Sequence, residues 1–297
     1  MGIGYQKVDR TAYDYDIWFV NGGTVGFRGP PLRLDQPGYV SFIGAAQTFG
    51  RFVHDPFSRQ VGRFLTVPAA NLGISGAGPE YYLRDAHIMG MLRNSSHTFV
   101  QAMSGRSVSA AYFQVAFNNG VSVFQSGPRE GERMLAQKAY ELLRREYGEE
   151  AFQDQVQAVR LAWVERYVEI IEALGRRASI VWISERSIDK PVDLTSSPLG
   201  IFPHFVDRAM IDDVCQRTEV DCIECVMSPM LADPIVNKKS GRLDAVFGAE
   251  QFPTRPDEMR ALNNYYATNA LHDITAREIL KYMLSHKDAF SAVLTAT

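Results

Sequence analysis

The stretch "YVSFIGAAQTFGRF", residues 39 to 52, indicates the fold class, because an apolar strand runs into a glycine turn and then into the start of a helix. The same order returns in "PAANLGISGAGP", residues 68 to 79. Glycines at such turns let the backbone bend sharply and leave amide N–H groups at a helix N-terminus, where they can face an anion. A repeated strand, turn and helix indicates βαβ units and a parallel sheet.

Short apolar strands and amphipathic helices alternate through most of the chain. We predict strands at 39–44, 68–74, 98–103, 179–184 and 220–226, and helices near 51–65, 78–92, 132–147, 149–174, 204–218 and from about 272. In the longest predicted helix, apolar residues recur at intervals of three and four, and this stripe ends at Gly175. The pattern predicts an α/β domain with a parallel sheet of about five strands.

Two segments depart from this alternation. Residues 1–38 are rich in Tyr, Gly and Pro, which predicts an irregular or β-hairpin extension packed on a main domain of residues 39–297. In residues 104–131, apolar positions alternate around Asn119-Gly120, which predicts an inserted β-hairpin. We expect the hairpin at the carboxyl edge of the sheet, as a wall of the ligand site or an oligomer contact. The aromatic residues of both segments leave homo-oligomer formation open.

Composition and charge narrow the class of partner. The chain has 297 residues with a formal net charge of −3, and it has no long block of Lys and Arg. Nucleic acid and an anionic membrane surface are therefore not expected partners, and a small-molecule or glycan ligand is expected instead. The start, "MGIGYQKVDR", has no apolar core of a secretory signal, and no later stretch is apolar enough to span a membrane. We expect a cytoplasmic protein.

Cysteines and histidines indicate no metal site. The three cysteines cannot make a disulfide framework, and a Cys-x-x-Cys pair on a strand points its side chains to opposite faces, so buried apolar cysteines are expected. The histidines other than His272 have no metal-ligand spacing with carboxylates or cysteines. Neither a metal nor a cofactor is expected. The cysteines are Cys215, Cys222 and Cys225, and the histidines without metal-ligand spacing are His54, His87, His97, His204 and His286.

The two glycine turns, in this order and spacing, resemble the first two blocks of the SGNH hydrolase superfamily, the GDSL-type esterases and acetyltransferases. Gly44 and Thr48 match the first block, and Asn71, Gly73 and Gly76 match the second. The segment "NALHDITAREIL", residues 269 to 280, resembles the last block, with His272 in the histidine position and Asn269 in that of the aspartate. The resemblance implies a three-layer α/β/α, flavodoxin-like sheet and a hydrolase or acyl-transfer ancestry.

The nucleophile of that superfamily is missing. Ala46 stands where the serine would be and Ala45 where the aspartate would be, so a serine-esterase mechanism through this position is excluded. The third block reads "MSGRSVS", residues 103 to 109, with Arg106 or Ser107 in place of an oxyanion-hole asparagine. The chain also resembles an uncharacterised bacterial family related to SGNH proteins, in which this Ala-Gln-Thr-Phe-Gly turn recurs. That resemblance brings no activity with it.

The candidate site residues follow from this comparison. His272 is the candidate base or hydrogen-bond donor, and Asn269 would orient its ring without supplying a charge. Arg51 and Arg106 would converge on a carboxylate, sulfate or phosphate; alternatively, Arg51 lies on a helix surface and Arg106 pairs with a structural carboxylate. A serine of the third-block loop would replace the lost hydroxyl. The candidate binding residues are Gly44, Ala46, Gln47, Thr48, Arg51, Asn71, Gly76, Ser104, Arg106 and Ser107.

Three hypotheses for the function remain open. The first is group transfer or hydrolysis on an acyl- or sulfo-decorated carbohydrate, through His272 rather than a serine adduct. The second is a non-catalytic pseudo-hydrolase that binds a glycan or a protein partner. The third is a nucleotide-binding protein, which is disfavoured because "GISGAG" does not have the dinucleotide Gly-x-Gly-x-x-Gly order. The first two require the loops after the first three strands and His272 to meet at one rim, an arrangement that would weaken the third.

Overall fold

The structure is a computed structural model, and it describes residues 2–10, 12–20, 23–116, 120–236, 262–263 and 265–291. The helices are α1 (Gly2–Asp9), α2 (Ala46–Phe49), α3 (Phe57–Leu65), α4 (Pro79–Arg84), α5 (Ala86–Asn94), α6 (Ala136–Ala173), α7 (Arg208–Thr218) and α8 (Asn269–Ser285). The strands are β1 (Trp18–Phe19), β2 (Gly26–Phe27), β3 (Val40–Ile43), β4 (Ala69–Asn71), β5 (His97–Gln101), β6 (Phe113–Ala116), β7 (Val121–Phe124), β8 (Arg133–Leu135), β9 (Ala178–Ser184), β10 (Cys222–Val226), β11 (Asp233–Pro234) and β12 (Leu262–Asn263).

The centre of the fold is a five-stranded parallel sheet in the order β4-β3-β5-β9-β10. Along the chain this is the order second, first, third, fourth, fifth, which is the flavodoxin-like arrangement. The predicted flavodoxin-like parallel sheet of about five strands is therefore confirmed. In such a sheet the crevice for ligands lies at the carboxyl ends of the first and third strands, where the strand order reverses. Those strands are β3 and β5.

Two hydrophobic cores lie on the two faces of this sheet. In β9, Ile180 and Trp182 pack in the core that holds α4 to α7, whereas Val181 and Ile183 pack in the core that holds α3 and α8. All seven residues of β9 are buried. A parallel strand that is covered on both faces has a continuous apolar sequence, because the side chains on both faces are buried. The segment "ASIVWIS" has this pattern.

The N-terminal extension differs from the prediction in one element. Residues 2–9 form α1, which the sequence analysis did not predict, and Trp18 and Phe19 pair with Phe27 and Gly26 in a short antiparallel ladder. The sequence of α1 has weak amphipathic character, so tertiary contacts stabilise it. Its last residue, Asp9, is fully buried and pairs with Arg51.

The inserted hairpin is confirmed and is longer than predicted. β6 and β7 pair antiparallel, and β8 adds a third strand beside β7. Residues 133–135 were predicted as the start of a helix, and that prediction was wrong because pairing with β7 outweighs local propensity there. Gly120 has a φ of +59° and is the first described residue before β7, whereas Asn119 lies outside the described residues.

Several helix ends differ from the predicted ones for local reasons. The predicted helix at 78–92 is two helices, because the Asp85 side chain accepts from the N–H groups of His87 and Ile88 and starts a new helix. The predicted break before 149 is confirmed at Gly148, whose φ of 94° and ψ of 171° interrupt α6. The helix predicted from 51 begins only at Phe57, and the loop before it contributes to the candidate site.

Within the described ranges, no helix is both long and apolar enough to cross a membrane. The same residues contain no group of three or more His, Cys, Asp or Glu side chains arranged to hold a metal ion. Cys225 is buried, and Cys215 and Cys222 are half-buried. Burial raises the pKa of the Cys215 thiol to about 11, so this side chain is a protonated thiol near neutral pH.

Candidate functional site

The turn after the first central strand brings the backbone very close to its neighbours. β3 ends at Ile43, and α2 begins at Ala46 with Ala45 as its N-cap. A Cβ atom added to Gly44 would lie 2.5 Å from the Cβ of Gln101 and would also collide with the Thr48 hydroxyl. Glycine is therefore required here by close approach, not only by the bend.

Gln101, the last residue of β5, closes this turn. Its Oε1 accepts hydrogen bonds from the Ala45 N–H at 2.9 Å, the Thr48 N–H at 3.2 Å and the Thr48 hydroxyl at 2.7 Å. The side chain is 1% exposed. Gln47, half-buried beside it, accepts from the Gln101 Nε2 at 3.4 Å. The Gln101 amide oxygen thus occupies donors that would otherwise face an anion.

Ala46 is packed against aromatic side chains. It is 7% exposed and belongs to a cluster with Tyr13 and Tyr15 of the extension, together with Phe49 and Tyr266. The methyl group at the nucleophile position therefore lies in an apolar cluster that includes the N-terminal segment.

The second glycine turn is joined to the first by Asn71. Its Nδ2 donates to the Thr48 carbonyl at 2.8 Å and to Ser58 Oγ at 2.9 Å, while its Oδ1 accepts from the Gly73 N–H at 3.1 Å. This glycine amide is therefore satisfied within the protein. Gly76 has φ +69° and supplies the tight bend that follows.

Arg51 belongs to a buried ion pair. Its Nε and Nη2 donate to the two carboxylate oxygens of Asp9 at 2.9 and 3.0 Å, and its Nη1 donates to the Tyr266 hydroxyl at 3.1 Å. The side chains of Arg51 and Asp9 are 4% and 0% exposed. The guanidinium also lies 4.1 Å from the ring centre of Tyr5. The structure assigns Arg51 to internal packing, which corrects its expected place on a helix surface or against a ligand.

His272, in the first turn of α8, is an internal residue. Its Nδ1 accepts from the Phe57 N–H at 3.1 Å, its ring stacks on the Phe57 ring, and the side chain is 1% exposed. Burial, followed by the charge of Arg28, lowers the pKa of His272 to about 3. A neutral ring that accepts at Nδ1 carries its proton on Nε2, and this nitrogen has no partner among the described residues.

Asn269 does not orient this imidazole. Its backbone N–H and its Nδ2 donate to the same carboxylate oxygen of Asp233, at 2.5 and 2.8 Å. Asp233 thereby caps the N-terminus of α8. The N-cap residue itself, Thr268, makes no side-chain capping bond. The expected Asn269–His272 pair is replaced by a helix cap and by the backbone contact of His272 to Phe57.

Arg28 of the extension lies beside His272 and was not predicted. Its guanidinium donates to the carbonyls of Phe49 at 3.1 Å, Gly50 at 2.5 Å and Val53 at 2.6 Å. A Cβ added to Gly50 would lie 3.1 Å from Arg28 Nη1 and 3.3 Å from His272 Cε1. The extension therefore places a cation next to the imidazole, on the other side of this glycine.

The burial of His272 predicts a pH dependence of stability. An unfolded histidine titrates near its ordinary pKa of about 6.5, whereas the folded pKa is about 3. Between these pH values the unfolded state therefore binds more protons than the folded state. The stability that the neutral His272 ring contributes is present above pH 6.5 and is lost as the pH falls towards 3. His272→Asn keeps an acceptor for Phe57 N–H and removes the titration. Between pH 6 and 4, its free energy of unfolding should fall less steeply than that of the wild type, by about 1.4 kcal/mol per pH unit.

Urea unfolding at several pH values measures this difference. Subtracting the two curves cancels the carboxylates and the other histidines, which both proteins share. Parallel curves would show that His272 does not titrate as a buried neutral ring.

The loop after β5 contains a serine–histidine contact. Ser104 Oγ lies 2.8 Å from His204 Nδ1, and the Gly105 N–H donates to the His204 carbonyl at 2.9 Å. Ser104 is 3% exposed and His204 is half-buried. Burial, followed by the charges of Arg106 and Arg186, lowers the pKa of His204 well below its ordinary value. The sequence analysis missed His204, although its loop follows the fourth strand and therefore ends at the same sheet edge.

Arg106 lies under the inserted hairpin. A Cβ added to Gly120 would lie 3.3 Å from the Arg106 Cζ, so this glycine of the hairpin lies close to the guanidinium. Arg106 is half-buried, and its Nε is buried without a partner in the part of the chain that the structure describes. Ser107 packs instead against the second glycine turn, where a Cβ on Gly78 would lie 2.8 Å from the Ser107 Cβ.

Comparison with known proteins assigns a family. Residues 3–119 and 140–261 match the family described as Domain of unknown function (DUF6473). The chain belongs to this family. No curated protein matches it in a sequence search.

Solved structures resemble the DUF6473 chain at low identity. A protein from Lactobacillus plantarum is 10% identical over 84% of this chain and 98% of its own, with a TM-score of 0.43. The lipase Lip_vut3 from a goat rumen metagenome is 10% identical over 82% and 96%, with a TM-score of 0.39. A protein from Parabacteroides merdae described as a GDSL-like lipase is 12% identical over 89% and 99%, with a TM-score of 0.37. Likenesses at this level carry no information on activity.

The candidate residues of the DUF6473 chain fall into three neighbourhoods. Gln101 holds the turn after β3, Arg28 lies next to His272, and His204 contacts Ser104 in the loop after β5. All three of these residues were missed from sequence. Two of them had a signal: Gln101 is a polar residue at the carboxyl end of a strand, and His204 lies in the loop after the fourth strand.

Proposed function

We propose that this protein is a non-catalytic pseudo-hydrolase, an SGNH-type scaffold that binds a polar small-molecule or glycan ligand. The observation that carries the proposal is the turn after β3, where Gln101 Oε1 accepts from three donors beside Ala46. An oxyanion hole needs preorganised donors that are directed at the reacting oxygen. Three of the donors at this turn are directed at an internal amide oxygen.

The packing around the turn supports the proposal. A nucleophile must be reached by an ester carbonyl, but the Ala46 methyl contacts the aromatic cluster of the extension. The nearby second turn is also satisfied internally, through Asn71 and the Gly73 amide. Residues at the positions of the superfamily's catalytic blocks thus contribute to stability in this chain.

His272 is poorly suited to general-base catalysis. A base works best when its pKa lies near the operating pH, whereas burial holds the pKa of His272 near 3. Its Nδ1 already accepts from the Phe57 backbone. Hydrolysis or group transfer on an acyl- or sulfo-decorated carbohydrate through His272 is therefore the weaker candidate, and binding is the stronger one.

Restoring the missing hydroxyl tests the proposal. We expect Ala46→Ser to hydrolyse p-nitrophenyl acetate no faster than the wild type and to take up no fluorophosphonate at position 46. The added hydroxyl would lie in the aromatic cluster without a poised base. Ester hydrolysis is followed by absorbance, and labelling by peptide mass spectrometry.

Circular dichroism and thermal unfolding of Ala46→Ser show whether the variant is folded. Wild-type ester turnover that disappears in His272→Asn would contradict a non-catalytic function. Labelling at position 46 in the folded variant would show that the turn is still open to substrate.

A further inference from the structure

The loops after β5 and β9 meet at one sheet edge. These parallel strands are neighbours, so their carboxyl ends lie side by side, where open α/β sheets bind ligands. Ser104 follows the end of β5 and His204 lies in the loop after β9. We propose that Arg106 and His204, with Ser104 as the residue that positions His204, form a site called here the edge cluster, in which the arginine and the histidine bind a single oxyanion group of the ligand, a carboxylate, sulfate or phosphate. The inference rests on the proposed binding function and names its ligand chemistry.

Hydrogen bonds hold the edge cluster together. Ser104 Oγ and His204 Nδ1 are 2.8 Å apart, and Gly105 N–H donates to the carbonyl of the same histidine. When Ser104 donates to Nδ1, the neutral ring carries its proton on Nε2. The ring then offers one N–H donor, and the charge of Arg106 acts on the same ring.

The charges around His204 are mainly positive. Arg106 and Arg186 act on it electrostatically, and Arg160 donates to the adjacent Phe205 carbonyl at 3.1 Å. Asp207 is the carboxylate in this group, 3.5 Å from Arg160. Arg186 is already bound to carbonyl oxygens, at 2.6 Å from Lys190 and 2.6 Å from Val206.

Arg106 is the cation available to a ligand. Among the described residues it has no ion pair, and its buried Nε has no partner. Guanidinium groups present a planar set of donors that matches carboxylate, sulfate and phosphate oxygens. A bound oxyanion would supply the acceptors that the described structure lacks around this side chain.

The inserted hairpin positions this cation. Gly120 is buried close to the Arg106 guanidinium, so this glycine limits where the side chain can lie. An arginine held in place loses less rotamer freedom when it binds an anion. The hairpin therefore forms one wall of the edge cluster.

The same charges argue against Ser104 as a nucleophile. Attack on an ester would form an Oγ–C bond and move the Oγ proton to His204, which creates an imidazolium near Arg106 and Arg186. That charge persists until the ester C–O bond breaks and the proton passes to the leaving alkoxide, which departs as an alcohol. Catalytic serine–histidine pairs stabilise that charge with a carboxylate, and no carboxylate bonds to His204 in the described residues. An anion is favoured where an imidazolium is disfavoured.

Titration of the full-length protein with sulfate, phosphate and acetate tests the inference. Calorimetry at constant ionic strength, held with sodium chloride, separates a site from general screening. We expect saturable binding that Arg106→Gln weakens at least about tenfold. Arg93→Gln, which removes an exposed arginine near the amino end of β5, should bind like the wild type. The order of the three anions distinguishes a carboxylate site from a sulfate or phosphate site.

A second variant guards against a folding defect in Arg106→Gln. His204→Asn keeps an acceptor for Ser104 and removes the Nε2 donor, so it should weaken binding about threefold or more. Equal affinity of the wild type and Arg106→Gln, or no saturation by any of the three anions at roughly 10 mM, would overturn the site. A fluorophosphonate adduct on Ser104 would make the pair a nucleophile and overturn both proposals. Ester turnover that survives Ser104→Ala would contradict only the non-catalytic function.

Discussion

Asp9→Ala is expected to lower the free energy of unfolding by about 3–5 kcal/mol. The substitution leaves the Arg51 guanidinium buried without the carboxylate that binds both its Nε and its Nη2. The Tyr266 hydroxyl and the Tyr5 ring remain, but neither carries a charge. Removing one partner of a buried ion pair is costly because the remaining charge loses a counter-ion that offset its desolvation.

Urea unfolding, followed by circular dichroism, measures the loss. The matched control is Asp189→Ala, which breaks an Asp–Arg pair whose carboxylate is 71% exposed. We expect that control to change stability by about 0–1 kcal/mol, because water solvates both partners. The double variant Asp9→Leu/Arg51→Met should recover part of the loss, since it removes both charges. Similar losses for Asp9→Ala and Asp189→Ala would contradict the buried pair.

Gln101→Met is expected to cost about 3 kcal/mol or more. Methionine fills similar space, but it cannot replace the amide oxygen that accepts from Ala45 and twice from Thr48. Each buried donor left without an acceptor costs about 1–3 kcal/mol. The three donors share this acceptor, and the substitution leaves the two backbone N–H groups without it, whereas the Thr48 hydroxyl keeps a long 3.5 Å contact to the Ile43 carbonyl.

Gln47→Met provides the matched control for this prediction. Gln47 is half-buried, and its described contact is a 3.4 Å bond to Gln101. We expect a change within about 0.5 kcal/mol, as for ordinary partly exposed positions. Thermal and urea unfolding of both variants give the comparison. If Gln101→Met were as stable as Gln47→Met, the turn would have another way to satisfy its donors.

The elements predicted well from the sequence are those set by local patterns. The five central strands follow from apolar runs between turn residues, and the break in α6 follows from Gly148. The elements missed depend on distant partners: α1 is stabilised through Asp9, and β8 exists because β7 lies beside it. A local window holds no information on either contact.

At the candidate site, the sequence by itself determined that no serine nucleophile stands at position 46, because an alanine methyl has no proton to lose. Whether the space around that methyl is open was decided by tertiary structure. Arg51 meets Tyr266, and Phe57 meets His272, each across 215 positions of the chain. Side chains so far apart in the chain become neighbours only when the sheet brings their loops to one edge. The burial that results keeps His272 neutral near pH 7.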